Sequence, residues 1–211
     1  MDTHSSAVDR LFADPTGRQP RADARRNAER LVAAARLAIA EIGADASAHE
    51  IAARAGVGIG TFYRRVPSRE ALLMAILEDV LSEIRRAADE ALLDPDPWHG
   101  LSGFAAEYVG LRGESCGISD ALGGACGERL DDLLAELRDR FRLLVTRAQE
   151  AGAVRPDLAW QDLPFLLASL TTGHRTLGLT ADEDQWRRGL RVLLDGLRTP
   201  EPAPLPGHPP H

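Results

Sequence analysis

The sequence contains no lysine, so its 25 basic residues are all arginines. Aromatic residues make up only 5% of the chain, while alanine and leucine dominate every long segment, and this composition favours helices over strands. No run of about 18 apolar residues is present, which argues against a membrane-spanning helix. The first residues also lack the charged and then apolar pattern of a secretory leader. We therefore expect an all-α protein that has no membrane partner and resides in the cytoplasm.

Cysteine is nearly absent too, and Cys116 and Cys126 belong to no CxxC or mixed Cys/His pattern. Their spacing supports neither a disulfide framework nor a zinc site, and a reducing compartment fits the chain best. His49-Glu50 begins the HExxH motif of zinc proteases, but Ala53 occupies the position of the second ligand. The sequence shows no nucleophile elbow, phosphate-binding loop or paired carboxylates. We therefore expect no enzyme activity, no cofactor and no metal site.

Positive charge is concentrated near one end of the chain. Between Arg18 and Glu70 there are ten arginines and six acidic residues, a net charge of +4, whereas the whole chain carries −7 and the remaining residues therefore −11. Such segregation is typical of a protein that presents one end to phosphates and keeps the other end soluble. The charge pattern therefore allows a nucleic-acid partner despite the acidic total.

Apolar spacing, capping signals and breaks at glycine and proline predict about nine helices. Ser68 and Asp96 are placed to cap two of them, and Gly43 to end the first. By contrast, residues 1–17 and the proline-rich residues 199–211 show no apolar period and are predicted to be disordered tails. The predicted helices cover residues 24–42, 48–54, 59–65, 69–93, 97–113, 114–122, 128–151, 160–175 and 182–198.

Residues 47–65 have the order of a helix-turn-helix: a capped short helix, a turn with a glycine and a second short helix. Ser47 and Glu50 form a capping box, in which each residue caps the backbone of the other. The second helix is then free to enter the major groove, which is about 12 Å wide. A small core is expected to fix the angle between the two helices. Its members are Ile51, Ala52, Ala55, Val57 and Phe62.

The segment EIAARAGVGIGTFYRRVPSREAL, residues 50–72, closely resembles the signature of the tetracycline-repressor (TetR) family of bacterial transcriptional regulators. The resemblance covers about residues 25–84, and Arg65-Val66 stands where the family usually has His-Phe. In the rest of the chain, the segment that most resembles the family is the loop GAVRPD at residues 152–157.

This resemblance implies a homodimer that binds double-stranded operator DNA, with residues 18–70 as a DNA-binding domain that begins in a basic arm. It implies that residues 71–198 form a helical domain for ligand binding and dimerisation. It also implies a repressor of palindromic operators that a small-molecule effector releases. An activator, a regulator without an effector and a helical protein-interaction module remain as alternatives.

The resemblance also assigns roles at the DNA to individual residues. Ser47 matches the position that anchors the start of the first helix of the helix-turn-helix to the DNA backbone. Thr61 and Tyr63 match positions that contact the backbone or base edges, although Tyr63 could instead be a packed aromatic. Arg69 matches the basic position that contacts a phosphate, where a helix N-terminus also favours an anion.

Further contacts are expected from the tip of the second helix and from the arm. Gly60 permits close approach, and Ile59 could touch a thymine methyl. Arg64 is suited to guanine or to a phosphate, and the sequence leaves open whether it or Arg65 faces the groove. The arm arginines either follow the DNA or belong to a solvated tail. They are Arg18, Arg21, Arg25 and Arg26.

The second half of the chain offers two sets of candidates, each with ordinary core or surface positions as the alternative. Family pockets lie among the middle helices and combine aromatic walls with a few polar groups. The pocket candidates are Trp98, Phe104, Tyr108, Cys116, Cys126 and His174. The last two predicted helices are apolar enough to form a four-helix interface with a second copy. The interface candidates are Phe165, Leu166, Leu170, Trp186, Leu190, Leu193, Leu194 and Leu197.

Overall fold

The computed structural model describes residues 8, 12, 22–114, 118, 128–171, 175–182, 184–198 and 201–210. Over these residues the chain folds into eight α-helices, one short 3-10 helix and a two-stranded antiparallel hairpin, which confirms the all-α prediction. No helix in this part of the chain is long and apolar enough to cross a membrane. In chain order the elements are α1 (Ala22–Ile42), the 3-10 helix (Gly43–Asp45), α2 (Ala48–Arg54), α3 (Ile59–Arg65), α4 (Arg69–Leu92), α5 (Pro97–Glu114), α6 (Glu128–Glu150), α7 (Asp162–Ser169), β1 (Arg175–Thr176), β2 (Leu179–Thr180) and α8 (Gln185–Leu197).

The chain forms two compact units. The first comprises Met1–Ser82 and Glu114–Asp131, and the second comprises Glu83–Gly113 and Asp132–His211. Helix α4 therefore contributes its first part to one unit and its last part to the other.

Small side chains let the helices of the first unit approach one another closely. On α1, Ala34, Ala35 and Ala38 are at most 4% exposed and lie beside the buried Leu31 and Ile39. Alanine adds little bulk to a helix surface, so α2 can pack directly on α1. The first part of α4 adds fully buried side chains to the same unit. These are Leu72, Leu73 and Ile76.

Helix α6 brings together an aromatic cluster in the second unit. The Phe141 ring stands edge-on to the Phe104 ring at 5.1 Å and to the Tyr108 ring at 5.2 Å, measured between ring centroids. Edge-on packing of buried rings adds to the stability gained from their burial. Arg140 on α6 also pairs with Asp89 on α4, with 2.9 Å between Nε and Oδ1. The core of the second unit is therefore built around α6.

The hairpin is the main departure from the predicted helices. The prediction of a helix over residues 160–175 is wrong at its C-terminal end, because α7 ends at Ser169 and Arg175 pairs with Thr180 in the hairpin. Leu177 and Gly178 have φ angles of 49° and 78°, as the two central residues of a tight hairpin turn require. The last helix likewise begins at Gln185 rather than at 182. The helix predicted over residues 114–122 lies outside the described residues, apart from its first residue and the buried Ile118.

The loop after α6 holds the proline-rich end of the chain. The Arg155 guanidinium donates to both Asp157 carboxylate oxygens at 2.7 and 2.8 Å, and its backbone N–H donates to the Leu197 carbonyl at 2.9 Å. Arg155 also donates to the Ala203 carbonyl, and the Leu205 N–H donates to Asp157 at 3.0 Å. Residues 201–210 contain neither helix nor strand, yet the hydrogen bonds of Ala203 and Leu205 attach this segment to the loop after α6.

This loop makes stability depend on pH. The hydrogen bonds from the Arg155 guanidinium hold the pKa of the Asp157 carboxyl well below its usual range. A carboxyl with a lowered folded pKa stabilises the protein above its unfolded pKa of about 3.9 and loses that contribution as the pH falls. We expect Asp157→Asn to lower the thermal-unfolding midpoint near pH 7 and to matter less below about pH 4. An equal effect of the substitution at both pH values would contradict this assignment.

Candidate nucleic-acid interface

Helix α2 begins at a complete capping box, as the sequence predicts. The Ser47 hydroxyl accepts from the Glu50 backbone N–H at 3.2 Å, and the Glu50 carboxylate accepts from the Ser47 N–H at 2.7 Å and from its hydroxyl at 2.8 Å. The bonds from the Ser47 backbone and hydroxyl lower the pKa of Glu50 and keep its carboxylate charged. Ser47 therefore sets where α2 starts, and its contact with the DNA backbone stays a prediction.

The turn between α2 and α3 depends on glycine. Gly56 has a φ of +67°, in the left-handed region that glycine adopts without strain. Its N–H donates to the Ala53 carbonyl at 3.1 Å, and the Val57 N–H donates to the Ala52 carbonyl at 3.0 Å. These two bonds satisfy carbonyls at the end of α2. A side chain at position 56 would strain the turn that sets the direction of α3.

The small core predicted between α2 and α3 is present. Four of its members are at most 4% exposed, and Val57 is half-buried. Two of the four are alanines, so the helix axes can approach closely, as the prediction requires. The buried members are Ile51, Ala52, Ala55 and Phe62.

The exposed face of α3 is centred on Arg64. Phe62 and Val66 are fully buried and fix the side of this segment that faces the first unit. Because successive helical residues are rotated by about 100°, Arg64 lies opposite these two, with Gly60 and Thr61 on either side of it. Arg64 and Gly60 are exposed, and Thr61 is half-buried. An arginine at the centre of an exposed helix face can donate two hydrogen bonds to a guanine edge or to a phosphate.

Tyr63 flanks this face, and its ring packs against a buried side chain of the same helix. Its side chain is 53% exposed, while its ring stands edge-on to the buried Phe62 at 5.2 Å between centroids. Arg65 is also exposed, and Ile59 is half-buried at the start of the helix. The structure thus gathers the predicted residues of α3 on one seven-residue helix, and their contacts with DNA stay predictions. They are Ile59, Gly60, Thr61, Tyr63 and Arg64.

Arg69 lies in a different environment from the other basic candidates. Its side chain is only 14% exposed. Its Nε–H donates to the Ala46 carbonyl, and its Nη1 lies 3.4 Å from Glu70 Oε1. The guanidinium is therefore engaged within the first unit, and its predicted phosphate contact is untested.

Little of the predicted arm falls on the described part of the chain. Arg26 is exposed on α1. Arg18, Arg21 and the side chain of Arg25 lie outside the described residues.

One link between helices was not foreseen from the sequence. Arg54 Nη2 on α2 lies 2.7 Å from Glu41 Oε2 on α1, and its hydrogen bond lowers the pKa of Glu41. Both side chains are partly exposed, so the pair orients α2 more than it stabilises the fold. No helical spacing relates residues on different helices, and sequence reasoning had no signal for this pair.

The second unit contains a cleft of about 300 Å³ between the start of α5 and the end of α8. The Arg198 guanidinium lies 4.7 Å from the centre of the Trp98 ring, and Arg191 pairs with Asp195 at 3.2 Å. Of the predicted pocket residues, Trp98 lines this cleft. The other lining residues are His99, Ser102, Gly103, Arg191, Leu194, Asp195 and Arg198, of which Leu194 was predicted for the dimer interface.

Two further pocket candidates, Phe104 and Tyr108, are not among the described residues that line the cleft. Phe104 and Tyr108 are buried in the aromatic cluster at 2% and 8% exposure, and burial raises the pKa of Tyr108. Cys116, Cys126 and His174 lie outside the described residues. A pocket role for Phe104 and Tyr108 stays a prediction, because side chains packed in a core can still border a ligand.

The interface candidates on α7 and α8 divide by exposure. Phe165 is 66% exposed and Leu166 37%, and Val192, which sequence reasoning overlooked, is 74% exposed. Leu190 and Leu197 are each only 4% exposed, so they have little surface left to give to a second copy. The other four candidates are half-buried. They are Leu170, Trp186, Leu193 and Leu194.

Two family models match the chain. Residues 31–76 match the model of bacterial regulatory proteins of the tetR family, and residues 96–199 match the C-terminal domain of SbtR-like transcriptional regulators. Comparison with curated proteins found no match.

Solved structures agree with these models. A TetR transcription regulatory protein from Mycobacterium vanbaalenii is 32% identical, with 84% of this chain and 98% of that chain covered and a TM-score of 0.55. A TetR transcriptional regulator from Streptomyces coelicolor is 28% identical, with 81% and 97% covered and a TM-score of 0.57. The ketosteroid transcriptional regulator KstR2 of Mycobacterium tuberculosis shares the fold at 18% identity, with 85% and 97% covered and a TM-score of 0.67. The chain belongs to the TetR family of DNA-binding transcriptional regulators.

Proposed function

We propose that this regulator is a cytoplasmic homodimer that represses transcription by binding a palindromic operator and is released by a small-molecule effector. The observation that carries the proposal is the exposed face of α3 with Arg64 at its centre, opposite the buried Phe62 and Val66. A rigid helix that presents an arginine to solvent from a capped helix-turn-helix is suited to the major groove. In this proposal residues 18–70 bind DNA, and residues 71–198 bind the effector and the second copy.

Exposed apolar side chains on α7 and α8 support the homodimer. Phe165 and Val192 are both more than half exposed, and Leu166 is 37% exposed. Large apolar side chains in water favour association, and a second copy offers the same helices for an isologous interface. We therefore assign the interface to these residues together with the half-buried Leu170, Trp186, Leu193 and Leu194.

The cleft beside Trp98 supports a small-molecule effector. It combines one aromatic side chain with several charged groups, and polar groups in ligand sites fix the orientation of what they bind. Release from DNA requires only that the effector binds two conformations with different affinity. Helix α4 contributes residues to both units, and a shift of this helix is the step that we propose for release.

The test selects DNA with the purified full-length chain from a pool of random duplexes, followed by footprinting on the enriched sequence. We expect a palindrome whose half-sites are centred about 34 to 36 Å apart or slightly more. An asymmetric footprint would contradict the homodimer, and no enrichment over the pool would overturn DNA recognition. Placed over the promoter of a reporter gene, the selected operator should lower expression when the regulator is present. Higher expression would identify an activator, and a scrambled operator is the control.

A further inference from the structure

The cleft of the second unit holds an arginine that rests on an aromatic ring. The Arg198 guanidinium lies over the Trp98 ring, 4.7 Å from its centre. Among the described residues, no acceptor forms a hydrogen bond or an ion pair with this guanidinium. A guanidinium whose face rests on a ring keeps the N–H groups at its edge for hydrogen bonds. The ring therefore orients a planar set of donors at the border of the cleft.

The charges that line the cleft leave one positive charge in excess. Arg191 and Arg198 face a single carboxylate, that of Asp195, which gives a net charge of 2 − 1 = +1. Asp195 already pairs with Arg191 at 3.2 Å, so the charge in excess is that of Arg198. His99 pairs with Asp94, and this bond raises the pKa of His99 and favours its charged form. That pair is then neutral as a whole, and the excess of +1 remains.

One lining residue, Gly103, provides space for an apolar group. It is exposed in the interior of α5, where glycine is a weak helix former. A Cβ built on Gly103 would meet no atom from outside its own part of the helix within 4 Å. A side chain at this position would therefore begin in open space and not in the packed core. The cleft of about 300 Å³ thus has room beside α5 for the apolar body of a small ligand.

We propose that this cleft binds a small organic monocarboxylate, which accepts two parallel hydrogen bonds from Arg198 and places an apolar body beside Gly103. The inference rests on the proposed effector and names its chemical class. Trp98 acts as a positioning residue, because it holds the guanidinium in one orientation before the ligand arrives.

Charge decides between a carboxylate and a phosphate. A carboxylate carries one negative charge, which matches the excess of +1, and its two oxygens fit the planar edge of a guanidinium. A phosphate monoester carries about −1.5 to −2 at neutral pH, which exceeds what the cleft can balance. The carboxylate of Asp195 would add to the repulsion of a dianion.

The test measures binding to the free full-length protein by ligand-observed NMR, with no DNA present. Benzoate and cyclohexanecarboxylate are the probes, since both join one carboxylate to a compact apolar body. Benzamide is the neutral equivalent of benzoate, and phenyl phosphate is a dianion that carries the same ring. Competition between the two carboxylates shows whether they share one site.

Two substitutions address the two parts of the cleft, and each has a matched control. Arg198→Gln removes the guanidinium, whereas Arg188→Gln removes the same charge from an exposed position of α8 that is not among the described lining residues. Gly103→Leu fills the space for the apolar body. Gly113→Leu adds the same side chain to another exposed position of α5. All four positions are exposed, and thermal unfolding checks that each variant folds.

We expect both carboxylates to bind the wild type with a Kd on the order of 1 mM, and benzamide to bind about tenfold more weakly or less. Arg198→Gln and Gly103→Leu should each weaken benzoate binding about tenfold or more, while the two controls keep the affinity of the wild type. If Gly103→Leu does not fold, Arg198→Gln and its control decide.

Four results would overturn the proposal. They are no binding of either carboxylate, equal affinity for benzamide and benzoate, tighter binding of phenyl phosphate than of benzoate, and equal losses in Arg198→Gln and Arg188→Gln. Failure of the proposed function is seen separately. Carboxylate binding that leaves operator affinity unchanged would count against release by the effector, and failure of the wild type to enrich any DNA sequence would count against DNA recognition.

Discussion

Replacing Arg64 with alanine is expected to cost about 1–3 kcal/mol of operator binding for each recognition helix of the proposed homodimer and to relax specificity at one base pair in each half-site. The expectation follows from the position of Arg64 opposite the two fully buried side chains of this segment, Phe62 and Val66. Arginine at such a position reads guanine through two parallel hydrogen bonds. The measurement is a titration of the selected operator and of single-base variants of it, at one salt concentration.

Two arginine variants serve as controls for the loss of charge. Arg138→Ala removes the same charge from the exposed surface of α6, and it should leave both affinity and specificity unchanged. Arg65→Ala removes an exposed arginine that lies about 100° around α3 from Arg64, so it should weaken binding to all sequences to a similar extent. If Arg64→Ala behaves like Arg65→Ala, Arg64 contacts a phosphate and base recognition lies elsewhere.

The parts of the fold that could be predicted are those encoded in neighbouring residues. The capping box at Ser47 and the glycine turn at Gly56 each depend on a few consecutive positions, and the structure contains both. The hairpin could not be predicted in this way. Leu177 adopts a φ of 49°, which the steric preferences of leucine disfavour, so no local propensity indicates a turn centred on it. The leucines and alanine before it fit a continued helix equally well.

At the candidate site, too, only features that depend on neighbouring residues could be predicted. Burial of Phe62 follows from its spacing on α3, and with it the outward direction of Arg64. The contact of Arg69 with the Ala46 carbonyl joins segments that no repeat or motif relates, and the resemblance to the family indicated a phosphate contact for Arg69 and gave no sign of this bond. The sequence likewise identifies Phe104 and Trp98 only as aromatic residues of the same helix. It does not indicate that Phe104 is buried in the aromatic cluster while Trp98 lines the cleft.

Phe62→Ala is expected to have the largest effect on stability, about 3–5 kcal/mol in the free energy of unfolding, because a fully buried ring is replaced by a cavity. Helix α3 has only seven residues, and Phe62 is its one buried side chain. A helix this short is not stable in isolation, so it depends on this anchor. Since the free energy of unfolding of a domain is only about 5–15 kcal/mol, the variant should lose a large part of its stability, and its operator binding should be lost as well. Denaturant unfolding followed by circular dichroism measures the change.

The neighbouring tyrosine separates the anchor of α3 from its DNA-facing surface. Tyr63→Ala removes a ring that is 53% exposed, so it should cost about 0.5–1.5 kcal/mol of stability through the lost contact with Phe62 and leave the fold and the proposed dimer intact. Operator affinity should nevertheless fall, and Tyr63→Phe, which keeps the ring contact, shows how much of that fall belongs to the hydroxyl. Operator affinity unchanged in Tyr63→Ala would remove Tyr63 from the interface, and a stability loss as large as that of Phe62→Ala would make it part of the core.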